Sequence, residues 1–191
     1  MGGGEPMADW STPDCNFFQF VRKSDPIILE DLKPACFPQR IPTIVVTCSD
    51  YLRRHEMVEH LGTMRGYRRE EDPETHLLAW HGGPIRFYPR SRVNYDDDDK
   101  VFTRELIEAV ELTGISDVNL LGHWPCKKCL RHKLTPKDAF DHLVRALALL
   151  KEVLPEIQFR TLFHADYREF QPNKMRSYRL DPMVYNNLPT T

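Results

Sequence analysis

Short runs of apolar residues, each stopped by a polar or turn-forming group, are the main regular pattern of this chain. Thr43 to Thr47 is rich in β-branched residues, with Pro42 before it and Ser49-Asp50 after it. Such a run predicts a buried strand, most readily one in a parallel sheet. A second short apolar strand begins at Asp117 and ends in His123. Both predicted strands therefore stop at residues that can carry chemistry.

The rest of the chain alternates between strand-like and helix-like patterns. The spacing of apolar residues predicts helices over Arg54 to Leu61, Val101 to Thr113 and Pro136 to Val153. His76 to Trp80 and Ile157 to Phe163 predict two further strands. Strands that alternate with helices are typical of an α/β protein. We therefore predict a single domain with a mainly parallel β-sheet of about four to five strands flanked by helices.

The two ends of the chain are less regular. Cys15 to Val21 and Ile27 to Leu32 each predict a short amphipathic helix. On the sequence pattern alone, these helices would pack on their own domain. From Gln171 onward the chain is polar and contains prolines, which predicts a segment that wraps the surface or a partner.

Composition narrows the class of protein. The 191 residues and 22.4 kDa suit one domain with a real core, and 41% hydrophobic content indicates a globular chain. The net charge of −2 gives no reason to expect nucleic acid. No apolar run approaches the ~20 residues of a membrane span, and no export signal is visible. An odd number of cysteines, five, argues against a disulfide framework, so we expect a cytoplasmic protein.

The candidate chemistry lies at the carboxyl ends of the two strands described first. Cys48 and Asp50 follow one strand, and His123 and Cys126 follow the other. Ligands gather beyond the carboxyl ends of strands in open α/β sheets, so neighbouring strands would bring these groups together. Two thiolates and an imidazole are a zinc ligand set, with water or a protein ligand in the fourth position. The alternative is a buried structural cysteine on each strand and a core histidine.

These residues resemble a known family. Cys48-Ser-Asp50 followed by Gly122-His-Trp-Pro-Cys126 is similar to the metal-binding motifs of the β-class carbonic anhydrases. Leu77 to Gly83 occupies the place of the family's Asn-Ala-Gly-Gly strand end, and Thr103 to Ile115 resembles the helix before the second motif. The likeness covers about Ile41 to Phe170. It divides the chain into a tail and helical arm (residues 1–40), a zinc domain (41–170) and an extension (171–191).

The resemblance implies a function, a cofactor and partners. A β-carbonic anhydrase is a lyase, a carbonate dehydratase, that reversibly hydrates carbon dioxide to bicarbonate with zinc-bound hydroxide. The implied cofactor is Zn²⁺ held by Cys48, His123 and Cys126, and the implied partners are carbon dioxide and bicarbonate. The family also implies a homodimer or a dimer of dimers, in which residues from about Asp14 to Leu32 pack on the neighbouring subunit.

The resemblance also assigns a role to Asp50. In the family this carboxylate accepts a hydrogen bond at the metal, and an arginine two residues later holds it away from zinc. Here that place holds Leu52, and the nearest arginine is Arg53. If Arg53 pairs with Asp50, both residues are catalytic and the site is open. If it does not, Asp50 becomes a fourth zinc ligand, and we expect this closed site near pH 7.

Three further alternatives stay open. Cys129, three residues after Cys126, has the spacing of a zinc knuckle and could be the fourth ligand. His81 could shuttle protons or be structural. The protein could also be a closed, non-catalytic zinc-binding protein, or a hydrolase of a related small molecule such as carbonyl sulfide or carbon disulfide.

Overall fold

The structure is a computed structural model that describes residues 10–50, 53–68, 70–71, 73–167 and 175–187. Within these residues, six strands form a single sheet in the order β1-β6-β5-β4-β2-β3. The four strands β5, β4, β2 and β3 are parallel, and β1 and β6 are antiparallel additions at one edge. The strands are β1 (Leu29–Asp31), β2 (Thr43–Cys48), β3 (Thr75–Trp80), β4 (Asp117–Trp124), β5 (Gln158–Asp166) and β6 (Met175–Leu180).

Helices cover both faces of this sheet, so the predicted class is confirmed: one α/β domain with a mainly parallel sheet. The sheet has six strands rather than the predicted four to five, because β1 and β6 join it. The α-helices are α1 (Thr12–Lys23), α2 (Arg54–Met64), α3 (Asp98–Thr113), α4 (Lys127–Arg131), α5 (Pro136–Val153) and α6 (Pro182–Asn186).

The ends of the longer helices follow from local sequence. Thr135 caps α5 by accepting a hydrogen bond from the Asp138 backbone N–H, and the Asp138 carboxylate accepts one from the Thr135 N–H. Gly114 ends α3 with φ of +68°, a conformation that glycine adopts without steric cost. These signals explain why the predicted helices at Val101 to Thr113 and Pro136 to Val153 are present.

Alternation along the strands divides the core into two apolar clusters. Ile44 and Val46 of β2 face the larger cluster, which includes α1, α3 and α5. Val45 faces the smaller cluster, together with Met57 and Leu61 of α2. The described residues form no helix long and apolar enough to cross a membrane.

The expectation for residues 27–32 was wrong. Leu29 to Asp31 form strand β1, which pairs with β6 at Leu29–Leu180 and Asp31–Tyr178. Pairing with a distant strand outweighs the weak helical spacing of this short segment. The carboxyl-terminal segment likewise contributes β6 and α6 to the domain, and residues 168–174 and 188–191 lie outside the described part.

The amino-terminal helix is confirmed, and it packs on its own chain. Phe18 of α1 is 2% exposed and contacts Phe140 of α5 and Phe163 of β5. Trp10 lies ahead of this helix, and its indole N–H donates to the Asp166 carbonyl at 2.8 Å. Packing on the same domain, one of the two alternatives, thus accounts for the buried face of α1.

Candidate metal centre

Three metal-ligating side chains meet at the carboxyl ends of β2 and β4, which are neighbours in the sheet. Cys48 is the last residue of β2, His123 lies near the end of β4, and Cys126 immediately precedes α4. Their ligand atoms all lie within 4.8 Å of one another, and all three residues are buried. The structure therefore brings together the three donors that the two strand ends predicted.

The spacing and chemistry of these donors fit zinc. The Cys48 and Cys126 Sγ atoms are 4.0 Å apart. Tetrahedral zinc with Zn–S bonds of about 2.3 Å would hold two sulfurs roughly 3.8 Å apart. Both ring nitrogens of His123 are buried and have no hydrogen-bond partner in the described part of the chain. A buried polar atom without a partner is costly, and a bound cation would satisfy one of these two nitrogens.

The two thiols hold their protons tightly when no metal is bound. A hydrogen bond with Cys126 and burial raise the pKa of Cys48 to about 12. The pKa of Cys126 is raised as well, first through its hydrogen bond with the Cys129 thiol and also through burial. Because zinc binds the thiolate form, metal binding must release these protons, and its affinity should increase with pH.

A glycine pair lets the backbone after β3 approach the metal centre. The Gly82 N–H donates to the Cys48 sulfur at 3.4 Å. Gly83 has φ of +60°, and a Cβ atom there would lie 2.7 Å from the Cys48 backbone nitrogen. This close approach of the backbone to Cys48 requires glycine at position 83.

Asp50 and Arg53 form a buried ion pair beside these donors. The Asp50 carbonyl accepts hydrogen bonds from the backbone N–H groups of Arg53 and Arg54, at 3.2 and 2.9 Å, so the chain turns here as a helix does. Residues three apart on such a turn face each other. Arg53 Nη1 accordingly donates to Asp50 Oδ2 at 2.9 Å. This is the arrangement of the open alternative.

The ligand role of Asp50 and the surroundings of Leu52 are not decided. Asp50 lies outside the group of three donors, although it was also considered as a zinc ligand, and that role stays a prediction. Leu52, which occupies the place of the family's arginine, lies outside the described residues.

Asp166 is a member of this cluster that the sequence did not reveal. Arg53 Nε donates to Asp166 Oδ2 at 2.9 Å, so one guanidinium joins two carboxylates. Asp166 is the last residue of β5, whereas the predicted strand stopped at Phe163. No local motif marks this residue. The only available signal was its position beyond an apolar strand, where ligands and catalytic groups gather.

Cys129 and His81 lie close to the centre without joining the donor group. Cys129 is 2% exposed, and its thiol raises the pKa of Cys126. His81 is exposed, and its Nδ1 lies 3.0 Å from the Ser49 hydroxyl. A ligand role for Cys129 and a proton-shuttling role for His81 both stay predictions.

Comparisons with known proteins bear on the fold alone. No family model matches the chain, and no curated protein matches it. Solved structures of the β-carbonic anhydrase CafD from the filamentous fungus Aspergillus fumigatus do superpose on it. A cysteine-to-alanine mutant gives a TM-score of 0.46 at 13% identity, over 80% of this chain and 99% of that chain. The wild type gives 0.41 at 13% identity, over 80% and 99%.

A protozoan enzyme gives a similar result. β-Carbonic anhydrase isoform I of Trichomonas vaginalis superposes with a TM-score of 0.42 at 15% identity, over 90% of this chain and 99% of that chain. Superpositions this loose do not assign a function. The functional inference therefore comes from the residues of the chain itself.

Proposed function

We propose that this protein is a zinc-dependent carbonic anhydrase of the β class that reversibly hydrates carbon dioxide to bicarbonate. The observation that carries the proposal is the buried Asp50–Arg53 ion pair beside the Cys48, His123 and Cys126 donors. A carboxylate that is held by arginine is less available as a metal ligand, so the fourth position stays open for water. An open position distinguishes a catalytic zinc site from a structural one.

The residues of the chain would divide the work as follows. Cys48, His123 and Cys126 would hold zinc, which lowers the pKa of a bound water to near 7. Arg53 orients the Asp50 carboxylate, which accepts a hydrogen bond from the reacting water and fixes its direction. The Gly82 N–H stabilises the Cys48 thiolate. His81 lies on the exposed side with Ser49 and is placed to pass protons to solvent.

A direct assay tests the proposal. Stopped-flow measurement of carbon dioxide hydration should show activity for the zinc-loaded wild type at pH 7 to about 9, a range that begins near the pKa of metal-activated water. Arg53→Ala should remove most of it, because Asp50 is then free to take the fourth position. Arg54→Ala, the same change at the exposed neighbouring arginine, should leave activity unchanged. A zinc-loaded wild type without hydration activity across this range would refute the proposal.

One contact favours a second candidate, a closed zinc protein without activity. The buried Cys129 thiol raises the pKa of Cys126, so it is near enough that three thiolates and His123 could enclose the metal. X-ray absorption of the zinc-loaded protein separates the two candidates by counting sulfur ligands. The enzyme should show two sulfurs, and Cys129→Ser should not change that count. Three sulfurs in the wild type would favour the closed protein.

We also propose a homodimer. Phe20 of α1 is 52% exposed and Ile27 is 55% exposed, so the amino-terminal segment keeps apolar surface after packing on its own domain. Exposed apolar surface of this kind favours association. Light scattering at micromolar concentration should give twice the chain mass. Phe20→Asp should reduce this value, whereas a monomeric wild type that retains zinc would contradict the proposal.

A further inference from the structure

The Arg53 side chain is held from two sides. Its Nε donates to Asp166 Oδ2 and its Nη1 donates to Asp50 Oδ2, both at 2.9 Å. The side chains of Arg53, Asp50 and Asp166 are 8%, 7% and 5% exposed. At this degree of burial water screens an ion pair only weakly. The strength of the pair then depends closely on the positions of its hydrogen-bonding atoms.

Asp166 reaches Arg53 from the opposite side of the metal centre. In the sheet, β4 lies between β5 and β2. Asp166 at the end of β5 and Asp50 just beyond β2 therefore lie on either side of β4, the strand of His123. His123 pairs with His164 in register, and Asp166 is two residues further along β5. Since side chains alternate along a strand, Asp166 shares a face of the sheet with His164. Arg53 therefore spans the carboxyl edge of three strands.

The backbone of Asp166 is itself fixed. Its carbonyl accepts the Trp10 indole N–H at 2.8 Å, and the residue pairs with Met175 in the β5–β6 ladder. An anchor of this kind suits an arginine, whose long side chain otherwise has many rotamers of similar energy. When Asp166 holds the Nε group, the rigid guanidinium is fixed in an orientation in which Nη1 faces Asp50.

Charge alone does not explain the second carboxylate. Two carboxylates share the single positive charge of Arg53, so Asp166 competes with Asp50 for attraction to the guanidinium. Its benefit for Asp50 must therefore be directional. A guanidinium presents its donors as a rigid fork, and fixing one edge fixes the direction of the others.

We propose that Asp166 is a positioning residue of this site: its carboxylate fixes the Arg53 guanidinium so that Nη1 holds Asp50 away from the metal. This inference rests on the proposed function. It places Asp166 outside the reacting groups, with an effect transmitted through Arg53 to Asp50. Without Asp166, Arg53 can turn away and Asp50 can enter the fourth position of the metal.

The experiment uses Co²⁺ in place of zinc, because its visible spectrum reports on its ligands, and azide as an anion that competes for an open position. Wild type should bind Co²⁺, and azide should change the spectrum. Asp166→Ala should bind Co²⁺ but require about 10-fold more azide or higher, the loss expected when a supporting partner of a metal site is removed. Asp166→Asn keeps an acceptor for Nε and should recover most of the azide response.

Two controls separate positioning from general damage. Asp117→Ala removes the carboxylate partner of Arg160 at the opposite end of the same sheet and should leave azide binding unchanged. In the double variant Asp50→Ala/Asp166→Ala, azide should bind as it does to Asp50→Ala alone, because no carboxylate remains to compete. Azide binding by Asp166→Ala that equals wild type would overturn the inference. A double variant as weak as Asp166→Ala would overturn it too.

A measurement without metal distinguishes this inference from the proposed function. The Arg53 Nε–H signal in ¹⁵N NMR spectra of the metal-free protein should be protected from solvent exchange in the wild type. It should lose protection in Asp166→Ala but not in Asp117→Ala. An unchanged signal in Asp166→Ala overturns the anchoring. If the wild type binds no Co²⁺, the proposed function fails, and the Arg53 signal alone then decides whether Asp166 anchors this side chain.

Discussion

The central strands carry buried polar residues at both ends, and the two ends differ in how many of those polar groups have hydrogen-bond partners. At the amino end, the Thr43 hydroxyl lies 2.8 Å from both the carbonyl and the carboxylate of Asp117. The Asn119 amide donates to Thr43 and Asp117 at 2.7 and 3.0 Å, and Arg160 forms an ion pair with Asp117. Each of these side chains therefore has at least one partner within the chain, and the Asn119 Oδ1 atom has none in the described residues.

At the carboxyl end, several buried groups are left without partners in the described residues. Both ring nitrogens of His123, the Thr47 hydroxyl and the His164 Nε2 have no hydrogen-bond partner there. Burial without partners is costly, so such a cluster normally marks a place where something else binds. The polar residues at the amino end thus have a structural role, whereas those at the carboxyl end are arranged as in a binding site. Each of the following variants tests this difference.

The largest effect should come from removing a metal ligand. We expect about one zinc per chain in the wild type. Cys48→Ser, His123→Ala and Cys126→Ser should each weaken zinc binding on the order of 1000-fold or more, beyond the 10–100-fold that supporting partners contribute. Metal analysis after dialysis against a competing chelator measures this. Cys129→Ser is the matched control and should retain its metal, and full zinc in any two ligand variants would discard the assignment.

Breaking the amino end should have the opposite consequence, loss of stability with the metal site intact. Asp117→Ala leaves Arg160 partly buried without its carboxylate and removes an acceptor from Thr43 and Asn119. We expect the free energy of unfolding to fall by about 3 kcal/mol, the scale for a broken buried pair. Denaturant titration of the metal-free protein measures it. Zinc affinity should be unchanged in the folded variant, and a loss of affinity would mean that the two ends are coupled.

The same contrast explains what the sequence could predict. The Cys48, His123 and Cys126 donors were predictable because each lies at or just beyond the carboxyl end of an apolar strand, and parallel neighbours bring such ends together. The pairing of Arg53 with Asp50 depended on the direction of the Arg53 side chain, which left two alternatives open. The role of Asp166 could not be predicted from the sequence, because its contact with Arg53 joins residues 113 positions apart in the chain.

The strands at the edge of the sheet were not predicted from the sequence, for a related reason. A strand of three residues, Leu29–Asp31, carries too little pattern to be told from a helical turn, and it exists because β6 pairs with it. By contrast, α5 was predicted with its observed bounds, since 18 residues of regular spacing and a capping box at Thr135 specify it locally. Local signals thus define the long elements, and distant contacts define the edge strands and Asp166.

A smaller effect should come from the glycine that touches Cys48. Gly83→Ala combines a positive φ with a contact of 2.7 Å to the Cys48 backbone nitrogen, so the Cys48 backbone must shift. We expect a loss of about 2 kcal/mol in stability together with weaker zinc binding. Gly114→Ala separates the two causes, because φ there is +68° and nothing lies within 4 Å of the added methyl. It should lose about 1 kcal/mol and keep its zinc affinity, and equal effects in both variants would show that the contact with Cys48 is unimportant.

The last prediction concerns how stability depends on pH, and it rests on His164, which pairs with His123 across the strands. Burial lowers the pKa of His164 to about 3, from 6.5 in an exposed histidine. Between these values the unfolded chain binds a proton that the folded chain does not. The stability present above pH 6.5 is therefore lost progressively as the pH falls towards 3.

His164→Asn should remove this part of the acid sensitivity. Asparagine has no proton to bind in this range and can keep the hydrogen bond that His164 Nδ1 shares with the Ser177 hydroxyl at 3.0 Å. Denaturant titrations of the metal-free proteins between pH 7 and 4 should give a slope smaller than that of wild type by up to about 1.4 kcal/mol per pH unit. Contributions from other histidines and from carboxylates are common to both proteins and cancel in the difference. Equal slopes would mean that His164 binds its proton in the folded protein as well, and the carboxyl end would then tolerate a charge where the amino end needs a partner for one.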